Sequence, residues 1–458
     1  MGIHGSTRWR WRSVIIVASL MLSGCGDGDP VAQPVMSTSA PAGPVPTETA
    51  SSTTDLPNAE YLQNFEFVWT TINERYFDPD FGGVDWEAVH DEYLPQVTAA
   101  QSDLEVLYLL NLMLWELDVS HIGVVPPEDP SQMNPELMSE GELGIDIRLL
   151  DGEYVITDIE AGSPGAEAGL QPGYLLEIIG GRNIEDIVAE VPTIPPGHER
   201  GVRSGRTTVV RAHLYGQPGE AVTIGYRDSS DHAQDATLIF QQREPSPGAE
   251  PLAPGVPVAF TTLEVGRLEG DIGYMRFDAF GPGMLPALLE AVDSIQDAPG
   301  LIIDLRGNHG GTFTVRKPLV DRLVDEPVLL WTYRWRDSRE DVYVEPASVT
   351  YDGPIVVLVD VLSASSAEEF TGGLQAIGRA VVIGERTAGR VLVQEIAELP
   401  NGAIMVYPKG QSLLSDGLVL EGHGVIPDIP VAVHRSDLLA GVDPTMRSAI
   451  DQLQEMIP

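Results

Sequence analysis

Residues 353 to 390 read GPIVVLVDVLSASSAEEFTGGLQAIGRAVVIGERTAGR, and this stretch decides the fold of the chain. The segment PIVVLVD is short, rich in β-branched residues and preceded by Gly353, which predicts a strand buried on both faces. AEEFTGGLQAIG follows with apolar residues near the helical period, so we expect a helix directly after the strand. A buried strand that leads into a helix is typical of an α/β domain.

Three serines, Ser363, Ser365 and Ser366, stand between the predicted strand and the predicted helix. Serine is a favoured N-cap, and position alone favours capping. The same place also suits a nucleophile, because the hydroxyl is exposed at the helix start and backbone N–H groups point towards it. Other motifs of the chain are needed to distinguish between these two interpretations.

The composition of the chain argues against some classes of function. The chain has 458 residues, enough for two or three domains, and a formal net charge of -41 from 68 acidic and 27 basic side chains. This acidity argues against nucleic-acid binding and is interpreted as a solvated, self-repelling surface. The nine histidines form no HExxH motif and no paired Cys/His spacing, so we expect neither a metal nor another cofactor.

The first residues are typical of an export signal. RWRWR at 8 to 12 is positively charged, VIIVASLML is apolar but short for a bilayer span, and Leu22-Ser23-Gly24-Cys25 resembles a bacterial lipoprotein box. We expect a signal peptide over 1–25, lipidation of Cys25, and a flexible tether over 26–57, which is rich in Pro, Ala, Ser and Thr. The alternative is a plain secretory signal with a stray cysteine. The predicted location is the periplasmic or cell-surface face of a bacterial membrane.

Helical spacing of apolar residues predicts an N-terminal helical region over 58–125. Its last part, ELDVSHIGVVPP, places Ser120 and His121 just after the final helical turn. Taken alone, this pair is weak evidence for catalysis, since most histidines are structural or solvated.

Residues 139–243 resemble a PDZ domain, with strand-like alternation around a glycine, a short helix opened by Ser163-Pro164-Gly165, and a Pro-Gly turn. In that family the backbone N–H groups of a glycine-containing loop hold a peptide's C-terminal carboxylate while the peptide adds a strand. The resemblance assigns this role to Leu143, Gly144 and Ile145. The alternative is a PDZ-like module that has lost its ligand and only gates a neighbour.

Residues 258–436 alternate strands and helices, and a C-terminal helix is expected over 437–458. The order of GYMRF, a helix and GLIIDLRGNHGG predicts parallel strands, with the chemistry at their carboxyl ends. With PIVVLVDVLSASSAEE, GRAVVIGERTAG and GHGVIPD, this order resembles the carboxy-terminal processing (tail-specific) serine peptidases. The resemblance implies a mixed-sheet α/β catalytic core, ClpP/crotonase-like, with an N-terminal helical region and an inserted PDZ-like domain. Its nucleophile matches Ser365.

One branch of that family uses a Ser-Lys dyad, with the lysine in a Thr-Phe-Gly-Lys turn. This chain has Thr387-Ala388-Gly389-Arg390 there. An arginine stays protonated at neutral pH and cannot serve as a general base. The only lysines, Lys317 and Lys409, fall elsewhere. The dyad is therefore excluded.

The tricorn-like branch carries a Ser-His pair before its PDZ-like module and a glutamate near the end of the catalytic domain, which match Ser120, His121 and Glu421. The resemblance implies that Ser365 attacks, His121 moves the proton, and the other two residues orient the imidazole. The expected oxyanion donors are the N–H groups of Ser366 and of Gly310 or Gly311. His309 is interpreted as turn filler and His423 as a spacer, with contact to substrate as the alternative for each.

The sequence thus predicts a membrane-tethered serine endopeptidase that acts on exported proteins or peptides and possesses a PDZ-like domain for substrate C-termini. The alternative is a non-catalytic lipoprotein that binds peptides or apolar ligands on the same fold. Expected partners are protein substrates and, through the lipid, a membrane, while the oligomeric state is left open.

Overall fold

The computed structural model describes residues 58–126, 134–189, 199–245 and 258–457. The predicted signal peptide with Cys25 and the predicted tether lie outside these ranges. Helices and several sheets make up the described residues, so the predicted mixed α/β class is confirmed.

The N-terminal part is helical, as the apolar spacing predicts, and its elements are α1 (Asn58–Arg75), α2 (Trp86–Ala99), α3 (Asp103–Trp115) and β1 (Gly123–Val125). Side chains at the expected positions begin two of the helices. Asp85 caps α2 by accepting the N–H of Ala88, and Ser102 caps α3 by accepting the N–H of Glu105.

The described residues between 141 and 242, called the inserted unit below, follow the short helix α4 (Pro135–Met138). Their elements are β2 (Gly141–Glu142), β3 (Ile145–Leu150), β4 (Glu153–Ile159), α5 (Pro164–Glu167), β5 (Leu175–Ile179), β6 (Arg182–Asn183), α6 (Ile184–Ala189), α7 (Glu199–Ala212), β7 (Tyr215–Gly216), β8 (Ala221–Arg227), β9 (Ala233–Ile239) and β10 (Gln241–Gln242). Strands β3, β4, β5, β8 and β9 form an antiparallel sheet in that order. Ile147, Ile156 and Ile224 are wholly buried in its core with Val210 of α7. The PDZ identity of this unit stays a prediction.

The remaining elements, in chain order, are β11 (Leu263–Arg267), β12 (Gly273–Phe277), α8 (Leu285–Ser294), β13 (Leu301–Asp304), α9 (Phe313–Leu323), β14 (Leu329–Trp335), β15 (Arg339–Tyr343), β16 (Ile355–Val359), α10 (Ser366–Ala376), β17 (Ala380–Gly384), β18 (Leu392–Glu398), β19 (Ile404–Leu414), β20 (Ile429–Pro430), α11 (Arg435–Leu439) and α12 (Pro444–Met456).

Strands β12, β13, β16, β17 and β20 form a parallel sheet in that order, with β11 antiparallel at the edge. The predicted parallel pairing and the predicted buried strand are confirmed. Alternate residues of β16 face two different cores: Val357 and Val359 pack in the larger one, while Val356 and Leu358 pack with Leu453 of α12. Both faces are therefore covered, which explains the continuous apolar run in the sequence.

A second, antiparallel sheet contains β1, β19, β14 and β15, and β18 also pairs with β19. Met405 and Tyr407 of β19 share one core with Phe65 of α1, so the N-terminal helices pack directly on this sheet. Because β1 pairs with β19, with Gly123 opposite Val406, the segment between α3 and β1 is fixed to the C-terminal half of the chain.

The carboxyl ends of neighbouring parallel strands lie at one edge of their sheet. There the turn at 306–311 follows β13, the turn at 360–365 follows β16, and the loop at 385–391 follows β17. Three sequence motifs that are distant along the chain thereby meet at one place.

Candidate active site

Ser365 lies at the N-cap of α10 and is 4% exposed. Its backbone has φ 54° and ψ -123°, a conformation that residues other than glycine rarely adopt. The N–H of Ser365 donates to the carbonyl of Arg390 over 2.8 Å, and the Ser365 carbonyl accepts the N–H of Glu368 over 2.8 Å. These contacts hold the residue in its strained conformation between the helix and the 385–391 loop.

Asp360, at the end of β16, builds the turn that leads to Ser365. One of its carboxylate oxygens accepts the N–H groups of Leu362 at 2.9 Å, Ser363 at 3.1 Å and Gly307 at 2.9 Å. Since Gly307 belongs to the neighbouring turn, a single carboxylate fixes both turns beside Ser365. Asp360 was not singled out from the sequence, where an aspartate after a buried strand gives no sign of its partners.

Ser120, His121 and Glu421 lie together, although Ser120 and Glu421 are 301 residues apart in the sequence. The Ser120 hydroxyl donates to Glu421 Oε2 at 2.9 Å and lies 2.6 Å from His121 Nδ1. A hydroxyl has one proton, so if it is given to Glu421, the serine oxygen must accept from Nδ1–H. This tautomer leaves Nε2 of His121 as the unprotonated nitrogen.

His121 is buried, with 2% exposure, and its φ is 57°. Nε2 is buried too and has no hydrogen-bond partner within the described part of the chain. Burial, and after it the positive charge of Arg390, lowers the pKa of the imidazole to about 3. The ring is therefore neutral at physiological pH and able to accept a proton at Nε2.

Glu421 accepts three hydrogen bonds. Oε1 accepts the N–H of Ser120 at 2.8 Å, and Oε2 accepts the Ser120 hydroxyl and the N–H of Val391 at 2.7 Å. Burial raises the pKa of this carboxyl, while the same three donors act to lower it. Because all three groups donate, they favour the ionised carboxylate, which accepts at both oxygens.

The 385–391 loop links these residues to Ser365. Val391 donates to Glu421, and the preceding residue, Arg390, accepts from Ser365. Contacts on two consecutive residues thus bring the serine at the helix start and the Ser120-His121-Glu421 group to the same loop.

The turn at 306–311 carries the predicted oxyanion donors. Gly310 has φ 95°, and a Cβ there would lie 2.6 Å from Ser365 Cβ, 2.8 Å from the Ala364 carbonyl oxygen and 2.8 Å from Ser366 N. The Gly310 N–H donates to the side chain of Asn308 over 2.8 Å. Of the two glycines that the sequence offered as donors, the geometry therefore favours Gly311, together with Ser366.

Glu368 was not predicted as a site residue and is wholly buried in the first turn of α10. Its carboxylate accepts the Thr387 hydroxyl, the N–H groups of Gly389 at 2.7 Å and Arg390 at 2.8 Å, and the N–H of Ser365 at 3.2 Å. Burial raises the pKa of Glu368 to about 7, although the hydrogen bonds from Thr387, Arg390 and Gly389 act to lower it. The Ser-x-x-Glu spacing does mark a capping box in the sequence, but it does not reveal the contacts with the distant loop.

A buried chain of charges joins the inserted unit to the two turns. Arg148 of β3 donates to Asp360 over 2.6 Å and to Asp146 over 2.5 Å, and Asp146 also accepts from Arg211 of α7 over 2.5 Å. Arg211 in turn pairs with Glu136. Each of these buried charges is stabilised by its partners, since removing one partner leaves an unpaired buried ion and lowers the stability of the fold.

His309 belongs to this network and is more than a filler of its turn. It is 1% exposed, and its Nε2 lies 2.8 Å from Glu136 Oε1. Burial acts to raise the pKa of Glu136, but Arg211 and His309 outweigh it and lower the pKa to about 2. His423, by contrast, is exposed, and its Nδ1 lies 2.9 Å from the Glu421 carbonyl oxygen.

Neither lysine is at the site. Lys317 pairs with Asp321 at 2.7 Å on α9, and Lys409 pairs with Glu395 at 3.3 Å across β18 and β19. Arg390 occupies the loop beside His121, in agreement with the exclusion of a lysine-dependent mechanism.

Leu143, Gly144 and Ile145 lie at the start of β3, the edge strand of the larger sheet of the inserted unit. Gly144 has φ 64°, and a Cβ there would lie 2.2 Å from Ser163 Cβ, so the close approach of the α5 cap requires glycine. Helix α7 packs against the same strand. The loop at 143–145 therefore lies next to the edge strand β3 and helix α7.

No helix in the described part of the chain is both apolar and long enough to cross a bilayer.

Comparison with known proteins shows that the chain is similar to peptidases. Residues 271–431 match the family model of peptidase family S41, and residues 57–115 match the tricorn protease C1 domain. Tricorn protease homolog 1 of Streptomyces coelicolor is 26% identical over 413 residues, which cover 86% of this chain and 35% of that protein. A carboxyl-terminal-processing protease of Synechocystis sp. is 24% identical over 395 residues, covering 84% of this chain and 85% of that protein.

The chain spans about a third of the length of its tricorn relatives, with 33% and 35% covered in two of them. Among solved structures, the photosystem II D1 C-terminal processing protease has the same fold, with a TM-score of 0.56, 20% identity, and coverage of 87% of this chain and 98% of that one. The resemblance that the sequence motifs predict is thereby confirmed, with a peptidase family S41 domain matched over 271–431 and a tricorn protease C1 domain matched over 57–115.

Proposed function

We propose that the chain is a serine endopeptidase in which Ser365 is the nucleophile and His121 the general base. The observation that carries the proposal is that the buried Nε2 of His121 has no hydrogen-bond partner among the described residues, while Nδ1 lies 2.6 Å from the Ser120 hydroxyl that donates to Glu421. In this arrangement Nε2 is the nitrogen that can accept a proton. Family membership alone does not assign these roles.

In the proposed reaction Ser365 Oγ attacks the scissile carbonyl carbon while His121 Nε2 accepts the hydroxyl proton. The same proton then passes to the leaving amine, and water repeats the cycle on the acyl-enzyme. The imidazolium formed in between is stabilised by the Glu421 carboxylate through the Ser120 hydroxyl. This support matters because burial makes the free imidazole a weak base.

The oxyanion formed in the attack would be bound by the N–H groups of Gly311 and Ser366. One such donor contributes a factor of roughly 10² to 10³ to kcat in serine proteases. Ser366 is well placed, because its hydroxyl donates to the Gly311 carbonyl over 2.7 Å and so holds the two residues together.

The decisive test is labelling by a fluorophosphonate probe, combined with hydrolysis of unfolded casein. Wild-type protein should be labelled and should cleave casein, Ser365→Ala should do neither, and His121→Ala should be strongly impaired in both. Ser102→Ala, which removes a remote helix cap, serves as the control serine. Labelling that survives Ser365→Ala would overturn the assignment, and peptide binding by calorimetry without any cleavage would favour the binding function.

For substrate recognition we propose that a peptide adds as a strand to the edge of β3 opposite β4, with its terminal carboxylate at Leu143, Gly144 and Ile145. The edge position of β3 and the neighbouring α7 support this. Fluorescence anisotropy of a labelled peptide from a cleaved protein would test it. A free C-terminus should bind at least tenfold more tightly than the amidated peptide, and equal binding of the two would contradict the carboxylate site.

For location we propose that Cys25 is lipidated and that the folded part acts outside the cytoplasm, tethered to a membrane. The support is the sequence pattern of residues 8 to 25. Incorporation of labelled palmitate into the wild type but not into Cys25→Ser, with the wild type in the membrane fraction, is the expected result. Unmodified, freely soluble wild-type protein would contradict it.

A further inference from the structure

Glu368 is a buried carboxylate that the proposed reaction does not use. It is the third residue of α10, and its exposure is 0%. Burying a carboxylate is costly unless hydrogen bonds compensate for the lost water. Its contacts should therefore show what it does.

Four donors converge on this carboxylate, and three of them come from outside the helix. Oε1 accepts the Thr387 hydroxyl and the Gly389 N–H, while Oε2 accepts the N–H groups of Arg390 and Ser365. A glutamate that only caps a helix accepts the N-cap N–H and nothing further along the chain. Helix capping thus explains one of the four contacts.

The contact with Ser365 bears on the nucleophile itself. Its N–H is shared between Glu368 Oε2 at 3.2 Å and the Arg390 carbonyl at 2.8 Å, and the Arg390 N–H returns to the same Oε2 at 2.8 Å. A closed set of hydrogen bonds therefore joins the strained backbone of Ser365 to Arg390. Strain of this kind persists only where the surroundings over-determine it.

The contact with Thr387 extends this control to the segment that carries Glu421. The Thr387 hydroxyl accepts the N–H of Val425 over 2.6 Å while it donates to Glu368, and the Thr387 N–H donates to the Val425 carbonyl over 3.2 Å. Val391, next to Arg390, holds Glu421 directly. One carboxylate thereby connects the helix start, the 385–391 loop and the 421–425 turn.

We propose that Glu368 is a positioning residue that sets the distance and direction of Ser365 relative to the His121 group by holding the 387–390 loop against the start of α10. The inference rests on the proposed function of Ser365. It predicts that the loss of the carboxylate slows the chemical step and leaves substrate binding intact, because Glu368 is wholly buried and is not expected to contact the peptide.

The test is Glu368→Gln, which keeps the shape of the side chain. In either orientation of the amide, its NH₂ group faces a backbone N–H, so at least one donor from Ser365, Gly389 or Arg390 loses its acceptor. We expect kcat and the rate of fluorophosphonate labelling to fall about 10- to 100-fold. KM should stay within about twofold.

Two further variants separate positioning from general destabilisation. Thr387→Val removes one donor but leaves the three backbone donors of Glu368, so a smaller fall in kcat is expected. Leu453→Ala opens the core behind the sheet and lowers the melting temperature without touching the site. At an equal loss of melting temperature, Leu453→Ala should retain the wild-type kcat.

Hydrogen exchange provides a readout that does not depend on activity. The amides of Gly389 and Arg390 should exchange at least tenfold faster in Glu368→Gln than in the wild type or in Leu453→Ala. If wild-type protein were neither labelled nor active, the proposed function would fail, while faster exchange would still show that Glu368 holds the 387–390 loop against the start of α10. Unchanged exchange, or an equal labelling rate of Glu368→Gln and a labelled wild type, would overturn the inference.

Discussion

The N–H of Ser365 donates to the carbonyl of Arg390 over 2.8 Å. Arg390, the residue that rules out a lysine base, therefore also fixes the backbone of Ser365, the proposed nucleophile. Its positive charge also lowers the pKa of His121. Arg390 thus acts on both members of the proposed catalytic pair, on one through its backbone and on the other through its charge.

Ser120→Ala should lower kcat by roughly 10² to 10³, because the imidazole loses its link to the Glu421 carboxylate and its defined tautomer. KM should change little, since Ser120 is not expected to contact the peptide. Casein hydrolysis measures both constants. The matched control is Ser102→Ala, which should cost about 1 kcal/mol of stability through loss of a helix cap and leave kcat unchanged. An equal effect of the two substitutions on kcat would contradict the role of Ser120.

Arg390→Met should raise the pKa of His121, because the second cause of its depression is removed while burial remains. The rise should be partial, leaving the pKa below its ordinary value. Titration of the imidazole by NMR in Ser365→Ala, with and without Arg390→Met, measures the shift. An unchanged or lower pKa would show that the guanidinium does not act on the ring.

His121 should also make stability depend on pH. Between its folded pKa of about 3 and its ordinary value of 6.5, the unfolded chain binds a proton that the folded chain does not, so stability is lost as the pH falls through this window. The contribution is on the order of 5 kcal/mol when fully lost. Denaturant unfolding at pH 7 and pH 4 should show a smaller difference for His121→Ala than for the wild type. Equal differences would refute the buried neutral state.

Gly310→Ala should damage both stability and activity, because a Cβ at this position meets Ser365, Ala364 and Ser366 at 2.6 to 2.8 Å. Gly152→Ala is the matched control: its φ of 89° is close to the 95° of Gly310, but a Cβ there has nothing within 4 Å. The control should lose about 1 to 2 kcal/mol from backbone strain alone and keep its kcat. Gly310→Ala should lose more stability and at least tenfold in kcat. A Gly310→Ala protein as active as the control would argue against close packing at the oxyanion turn.

Glu136→Gln should destabilise the fold by about 3 to 5 kcal/mol, because it leaves Arg211 buried with only part of its compensation. Arg267→Gln removes exposed pairs with Asp271 and Asp297 and should leave the free energy of unfolding almost unchanged. Urea unfolding of both variants gives the comparison. Similar costs would mean that water reaches the charges between the inserted unit and the turns.

The sequence predicts the local elements well where one physical signal dominates. The apolar run of β16 can only be a strand with both faces covered, and helical spacing identifies α1 and α3. Motif order predicted the family resemblance, and the resemblance implied that Ser120 and Glu421 act together. The sequence did not predict the contacts of Glu368 and Asp360 or the partner of His309. The donors to these carboxylates come from distant loops, and nearby residues do not show which loops will be close.

By itself, the sequence determined which residues are available for chemistry: a serine at a helix start, a histidine after a helical region, and an arginine where a lysine base would stand. Only the tertiary structure decided which nitrogen of His121 is unprotonated and which carboxylate holds Ser365 in its strained conformation. The physical reason is that tautomers, pKa shifts and hydrogen bonds depend on distances of about 3 Å, and folding alone brings residues from three distant segments that close together.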